Sequence, residues 1–174
     1  MATSKPLQLS KLGWETCLDA QGAALVLISH HDIFTRAILC LEIESEGYQV
    51  IETYNAQQCL EAYKIFHPDL VILDAMLPEI DGFFCCRQLR QIPTQLPTPI
   101  LMITSPQDYA SVEEAFVAGA SDCIPQPIPW LNLRQRVSQL MRRFFLSQHI
   151  REISAQLTSR YLQEILHSSY KRVG

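Results

Sequence analysis

Five short apolar runs, each followed by a stretch with helical periodicity, constrain the fold of this 174-residue chain more than any other feature. The runs are rich in Val, Ile and Leu and are apolar throughout, which is typical of strands that are covered on both faces. A strand–helix alternation repeated five times predicts an α/β domain, doubly wound, with a parallel sheet between two layers of helices. The predicted strands are 24–29, 49–53, 70–73, 100–104 and 122–124.

The segments between these runs carry apolar residues three and four positions apart, which predicts amphipathic helices. The clearest set before the second strand is Phe34, Ala37, Ile38 and Leu41. Right-handed crossovers bring the carboxyl ends of all the strands to one edge of the sheet, where α/β folds bind their ligands. The candidates for a functional site are therefore the residues at 29–32, 74–76, 104–105 and 125–127.

Composition narrows the class of protein. The longest apolar stretches are far shorter than the roughly 20 residues of a membrane span, and no secretory signal opens the sequence. The six cysteines show no CxxC spacing, so we expect free, reduced thiols in a cytoplasmic chain. Charged residues make up 18% of the chain, against roughly 25% in a typical soluble protein, which predicts that some of the surface is covered by a partner.

Four motifs occur in the order and at the spacing of one known family. They are EGY at 46–48, PDLVILDAMLPEIDG at 68–82, PILMIT at 99–104 and AGASD at 118–122. The segment 24–137 therefore resembles the receiver domain of bacterial two-component response regulators. The resemblance implies a flavodoxin-like, five-stranded parallel sheet with strand order 2-1-3-4-5.

The resemblance also implies a phosphorylation site. Asp74 takes the place of the aspartate that accepts the phosphoryl group, and an acidic pair after the first strand helps that aspartate and the carbonyl of Met76 to hold Mg²⁺. A hydroxyl after the fourth strand, here Thr104, and a lysine after the fifth contact the phosphoryl oxygens. The ion and the lysine neutralise charge on the transferring group, which is most of what catalyses this reaction.

This chain departs from the family pattern at three of these elements. The acidic pair falls on His30 and His31, the lysine falls on Gln126 before Pro127, and the aromatic switch position falls on Cys123. Imidazole is a poor ligand for Mg²⁺, and a glutamine brings no charge. We therefore expect no cofactor, with Mg²⁺ binding weak or absent, and impaired or absent phosphorylation of the acceptor aspartate, as in an atypical, pseudo-receiver type of domain.

Three alternatives remain open at this point. A strong partner kinase would still phosphorylate Asp74 and so switch oligomerisation, if a protonated histidine replaced the charge of the metal. His30, His31 and Asp74 would form a transition-metal or pH sensor, although adjacent residues on a loop rarely point the same way. The third alternative is that both histidines only make hydrogen bonds at the sheet edge, with Asp32 capping the first helix.

Some further positions have structural roles. Asp81 is predicted to cap the third helix, and the family resemblance implies a cis peptide bond between Gln126 and Pro127. Cys85 and Cys86 lie on the third helix, where packing is favoured over a redox role.

The C-terminal part of the chain predicts one long helix with two apolar stripes. The first stripe packs on the sheet and consists of Leu133, Val137, Leu140, Met141 and Phe144. The second is rotated from it by roughly 120° at 100° per residue. This second stripe, called the tail seam below, consists of Ile150, Ile153, Leu157, Tyr161 and Ile165. The tail seam predicts that this helix packs against a second helix, which belongs to another copy of the chain or to a different partner protein. The alternative is a tail that folds back on its own domain.

These observations divide the chain into an N-terminal arm (1–22), a receiver-like domain (23–146) and a helical tail (147–174). Residues 129–174 carry a net charge of +6 and the rest carries −10. We nevertheless expect no nucleic-acid partner, because no helix-turn-helix or aromatic–basic interleaving follows the domain, and no membrane partner. The predicted function is that of a non-enzymatic signalling protein in a two-component network, with a histidine kinase as one partner. We expect no output domain in a chain of this length.

Overall fold

A five-stranded parallel sheet with strand order β2-β1-β3-β4-β5 forms the centre of the protein. The computed structural model describes residues 23–105 and 109–170. The strands are β1 (Leu25–Ser29), β2 (Gln49–Thr53), β3 (Leu70–Asp74), β4 (Ile100–Thr104) and β5 (Asp122–Pro125). The helices in these ranges are α1 (Ile33–Ser45), α2 (Ala56–Phe66), α3 (Gly82–Gln91), α4 (Tyr109–Val117) and α5 (Trp130–Tyr170). The predicted fold class and strand order are confirmed.

Two apolar cores lie on the two faces of the sheet. Successive residues of a strand point to opposite faces, so Leu27 packs with α2 and α3, and Ile28 packs with α1 and α5. The central strand β3 is buried along its whole length, and so is β4. This double coverage explains why the predicted strands are apolar throughout instead of alternating.

Side-chain caps set the starts of two helices close to the carboxyl edge of the sheet. The Asp32 carboxylate accepts a hydrogen bond from the backbone N–H of Thr35 at 2.7 Å, and that of Asp81 accepts one from Phe84 at 2.7 Å. Both caps were predicted, and the cis peptide bond between Gln126 and Pro127 is also confirmed. These caps place the first turns of α1 and α3 on either side of the end of β3.

Helix α1 forms where the sequence predicts it but turns its predicted apolar stripe to solvent. Phe34 is 77% exposed and Leu41 is 67% exposed, whereas Leu39 and Ile43 are fully buried. The helix carries apolar residues around most of its circumference, so spacing predicts the helix without deciding which side packs. Packing against β1 and α5 selects the side with Leu39 and Ile43.

Helix α5 packs on the sheet in its first part and continues as one helix beyond it. Leu133, Val137 and Met141 are buried, as predicted. Its 41 residues correspond to about 60 Å, at 1.5 Å per residue, and the predicted boundary at 146/147 falls inside this helix. No helix in the described ranges is both long and apolar enough to cross a membrane. The predicted N-terminal arm lies outside the described residues.

The described cysteines are free thiols, and we expect them to react slowly in the folded protein. Burial raises the pKa of Cys40 to about 11 and that of Cys86 to about 11. At about pH 8 only roughly one such thiol in a thousand is the reactive thiolate. Iodoacetamide followed by peptide mass spectrometry should label both cysteines far more slowly in native protein than in urea. Equal rates in the two conditions would contradict protection of the partly buried Cys40 and the buried Cys86 by the fold.

Candidate functional site

The predicted site residues gather at the carboxyl edge of the sheet. Asp74 ends β3, the two histidines follow β1, and Thr104 ends the neighbouring strand β4. Gln126 follows β5, and its backbone N–H donates to the carbonyl of Thr104 at 2.9 Å. The edge brings them together because parallel strands present their carboxyl ends on the same side. Cys123 is buried within β5, opposite Met102 and away from the edge. Met76 and Pro127, which follow Asp74 and Gln126, are exposed.

The Asp74 carboxylate is completely buried and both of its oxygens are engaged. Oδ1 accepts a hydrogen bond from the backbone N–H of Met76 at 2.9 Å. Oδ2 accepts one from the backbone N–H of His31 at 3.3 Å and also contacts Nδ1 of the His31 ring. The Nδ1 atom of His30 lies 3.7 Å from the same oxygen. The carboxylate therefore faces two imidazoles, and neither oxygen is free of a partner.

The two histidine rings point the same way, contrary to the expectation for adjacent loop residues. They are stacked, with centroids 5.2 Å apart and planes inclined by 13°. His30 is 1% exposed, whereas the side chain of His31 is 46% exposed. The pair thus has an inner ring in the protein and an outer ring that solvent reaches.

The inner ring of His30 is held in its neutral form. Burial lowers the pKa of His30, and the nearby Asp74 carboxylate offsets this only in part. Its Nδ1 accepts a hydrogen bond from the backbone N–H of Asp32 at 3.1 Å, so this nitrogen carries a lone pair. Its Nε2 lies 3.5 Å from the side-chain nitrogen of Gln126. His30 consequently supplies no positive charge to this edge near neutral pH.

Arg36, which no sequence motif singled out, holds the loop that carries the histidines. Its guanidinium donates to the carbonyl of His30 at 2.7 Å and to that of His31 at 3.4 Å. It also pairs with Glu52 at 3.2 Å. The signal in the sequence is a basic residue in the first turns of the helix that follows the histidine pair. A long side chain at that position reaches back to the preceding loop.

Two hydroxyl groups at the same edge are buried without a hydrogen-bond partner among the described residues. They belong to Thr104, at the end of β4, and Ser29, at the end of β1. Buried polar atoms are almost always paired in proteins, so such groups mark a place where a ligand or water completes the bonding.

Comparison with known proteins identifies the family to which this chain belongs. The family model of the response regulator receiver domain matches residues 26–138. The chain belongs to the response regulator receiver family. A solved chain described as a response regulator of Chloroflexus aurantiacus has a TM-score of 0.67 and 31% identity, covering 69% of this chain and 98% of that one.

Curated relatives of this receiver domain are named as regulators of transcription. The alkaline phosphatase synthesis transcriptional regulatory protein PhoP of Bacillus subtilis is 34% identical over 68% of this chain. The probable transcriptional regulator ycf27 of Cyanophora paradoxa is 31% identical over the same share. The chain spans about half of each relative, 48% in both cases. These names do not support the expectation that nucleic acid is excluded as a partner.

The receiver family implies a Mg²⁺ ion at this edge, and the residues present do not fit it. Mg²⁺ demands octahedral coordination by oxygen and is usually held through one or two carboxylates. Two of the implied acidic positions are imidazoles here, and the third, Asp74, has its oxygens engaged by His31 and Met76. This receiver domain retains the fold and has an aspartate, Asp74, at the position where the family resemblance places the acceptor, without the donor set for that ion.

Proposed function

We propose that this receiver domain is a non-enzymatic signalling module of the cytoplasm, belonging to a two-component system, in which Mg²⁺-dependent phosphorylation of Asp74 is impaired or absent. The observation that carries the proposal is the engagement of the Asp74 carboxylate by His31 and by the backbone of Met76. On this proposal the domain acts through contacts with another protein.

Two physical effects suppress phosphoryl transfer to Asp74. Its oxygens must leave their present partners before either one attacks a phosphorus atom. The developing charge on the phosphoryl group then meets neutral His30 and uncharged Gln126 where the family places acidic metal ligands and a lysine. Loss of one such stabilising group costs about 10²–10³ in rate. The rate losses from several changes within one site are not fully additive, but together they leave little phosphoryl transfer to Asp74.

We expect the purified protein to remain unmodified when it is incubated with Mg²⁺ and a small phosphodonor. Intact-protein mass spectrometry should show that neither the wild type nor the Asp74→Asn variant gains the mass of a phosphoryl group. Beryllofluoride should leave the oligomeric mass of both unchanged. Stoichiometric modification of the wild type that Asp74→Asn abolishes would establish the alternative, a working phospho-acceptor that controls oligomerisation.

The tail seam supplies the contact surface in this proposal. Ile150, Ile153, Leu157 and Tyr161 are between 44% and 65% exposed, and their spacing of three and four residues places them along one side of α5. The side chain of Ile165 lies outside the described residues. A row of large apolar side chains on a projecting helix favours pairing with a second helix. We propose a second copy of this chain as that partner, with a histidine kinase as the other protein of the pathway.

The tail leaves the domain at the edge opposite Asp74. The Arg151 guanidinium donates to the carbonyl of Gln95, in the loop before β4. A cleft of about 580 Å³ lies between this part of the helix and residues such as Asp69 and Thr98, which precede β3 and β4. Pairing through the tail seam therefore leaves the carboxyl edge of the sheet open.

We expect Leu157→Glu to convert a dimer into a monomer, because it places a charge in the middle of the apolar seam. Ser159→Glu is the matched control, since this exposed position lies on another side of the same helix and should leave the dimer intact. Truncation after Phe145 should have the effect of Leu157→Glu. Size-exclusion chromatography with light scattering measures the mass. A mass that neither Leu157→Glu nor the truncation changes would exclude the tail from assembly.

A further inference from the structure

We infer that His30, His31 and Asp74 form a binding site for one divalent transition-metal ion, with Zn²⁺ as the representative ion. One donor atom from each of the three residues lies within 4.8 Å of the others. Two imidazoles and a carboxylate, with a fourth position left to water, are a common donor set for Zn²⁺ in proteins. This inference goes beyond the proposed signalling role and does not depend on the tail.

The distances between the donor atoms are close to those around a bound Zn²⁺ ion. Zn²⁺ binds nitrogen and oxygen at roughly 2.0–2.2 Å, so two ligands of one tetrahedral ion lie about 3.4 Å apart. His30 Nδ1 and Asp74 Oδ2 are 3.7 Å apart. His31 Nδ1 and Asp74 Oδ2 are in direct contact, and this pair must open as the ion replaces the proton between them. The change required is a small movement of the exposed His31 ring.

The protonation state of His30 suits a metal ligand. His30 Nδ1 already acts as an acceptor, so no proton has to leave it, although the ion competes with the backbone N–H of Asp32. The opposite nitrogen, Nε2, faces the amide of Gln126, whose oxygen accepts the Nε2 proton when the amide is turned. A metal-bound histidine usually has such an outer partner. The Met76 N–H holds Oδ1 of Asp74, so Oδ2 is the oxygen that binds the ion once the His31 ring has moved from it.

The surroundings hold the cluster and keep it accessible. His30 and Asp74 are buried, and Arg36 fixes the carbonyls of the loop. The exposed ring of His31 leaves the ion open to solvent on one side. The buried hydroxyl of Thr104, at the end of the neighbouring strand, has no partner among the described residues and is an independent sign of a polar ligand at this edge.

The donor set also determines which ions are excluded. Imidazole suits Zn²⁺, Cu²⁺ and Ni²⁺, whereas Mg²⁺ and Ca²⁺ prefer sites built from oxygen alone. The same two substitutions that remove the Mg²⁺ ligands of the receiver family therefore create a site for a different class of ion.

Calorimetric titration of the full chain, with its thiols reduced, tests this inference. We expect one Zn²⁺ per chain and no heat with Mg²⁺. His31→Ala should weaken Zn²⁺ binding by more than the roughly 10–100-fold that follows loss of an outer-shell partner. His149→Ala is the control, because His149 is exposed on the tail and should leave the affinity unchanged. His31 is exposed, so its variant should fold, and circular dichroism checks this.

Co²⁺ spectra separate this site from binding to cysteine. The expected complex has the visible d–d bands of tetrahedral Co²⁺ bound to nitrogen and oxygen, and no thiolate charge-transfer band. Absence of Zn²⁺ binding, an affinity that His31→Ala does not change, or a thiolate band would each overturn the inference. These outcomes are distinct from failure of the proposed function, which is measured by phosphorylation of Asp74 in metal-matched buffer.

Discussion

The triple variant His30→Asp, His31→Asp, Gln126→Lys is expected to gain Mg²⁺-dependent phosphorylation at Asp74, raising the rate by at least roughly 10³-fold over wild type. The two aspartates supply oxygen ligands where the structure has imidazoles, and the lysine supplies a charge for the phosphoryl group. Removal of the His31 ring also frees Oδ2 of Asp74 from its present contact. Incubation with Mg²⁺ and a small phosphodonor, followed by intact-protein mass spectrometry, measures the gain.

The triple variant gives a second, independent result. Without Mg²⁺, three carboxylates at one buried edge repel one another, so the melting temperature should fall below that of wild type. Added Mg²⁺ should restore it, since an ion that binds only the folded state stabilises that state. Adding Asp74→Asn to the three changes is the control and should abolish phosphorylation. A triple variant that remains as inert as wild type would show that the three substitutions are not the cause of the deficit.

Gly82→Ala is expected to cause the largest loss of stability of any single methyl addition at the described glycines. A Cβ atom at Gly82 would lie 2.0 Å from the carbonyl oxygen of Asp74 and 2.8 Å from Cα of Ala75. Both are backbone atoms at the end of β3, so relief requires a shift of that strand or of α3. We expect the free energy of unfolding to fall by about 3 kcal/mol or more, the upper range for overpacking.

Gly47→Ala is the control for this prediction. Gly47 has φ of +88° and no atom within 4 Å of the added Cβ, so its substitution costs only backbone strain. That strain amounts to roughly 1–2 kcal/mol. Urea unfolding followed by circular dichroism compares the two variants. A smaller loss for Gly82→Ala than for Gly47→Ala would show that α3 adjusts easily against β3.

Much of the site could be predicted because local patterns specify it. The apolar runs predicted the strands, and parallel strands bring Asp74, Thr104 and the two histidines to one edge wherever the helices pack. The helix caps at Asp32 and Asp81 depend on a side chain and a backbone N–H three residues later, which the sequence alone places within reach. Such features need no information about distant parts of the chain.

Other features depend on contacts between distant residues and were missed. The side of α1 that packs was decided by β1 and α5, because its apolar residues surround most of the helix. The role of Arg36 depends on how its side chain returns to the carbonyls of the loop. The common direction of the two histidine rings depends on Asp74, which lies 43 residues further along the chain from His31.

The sequence by itself determined the parallel α/β architecture and the edge that carries the site, because periodicity and residue identity are local properties of the chain. Its resemblance to the receiver family also showed two histidines where that family has acidic residues. Only the tertiary structure decided that both imidazoles face Asp74 and that both of its oxygens are engaged. Hydrogen bonds of that kind depend on distances and angles between separate elements, and these are set when β1 and β3 pair and their loops pack together.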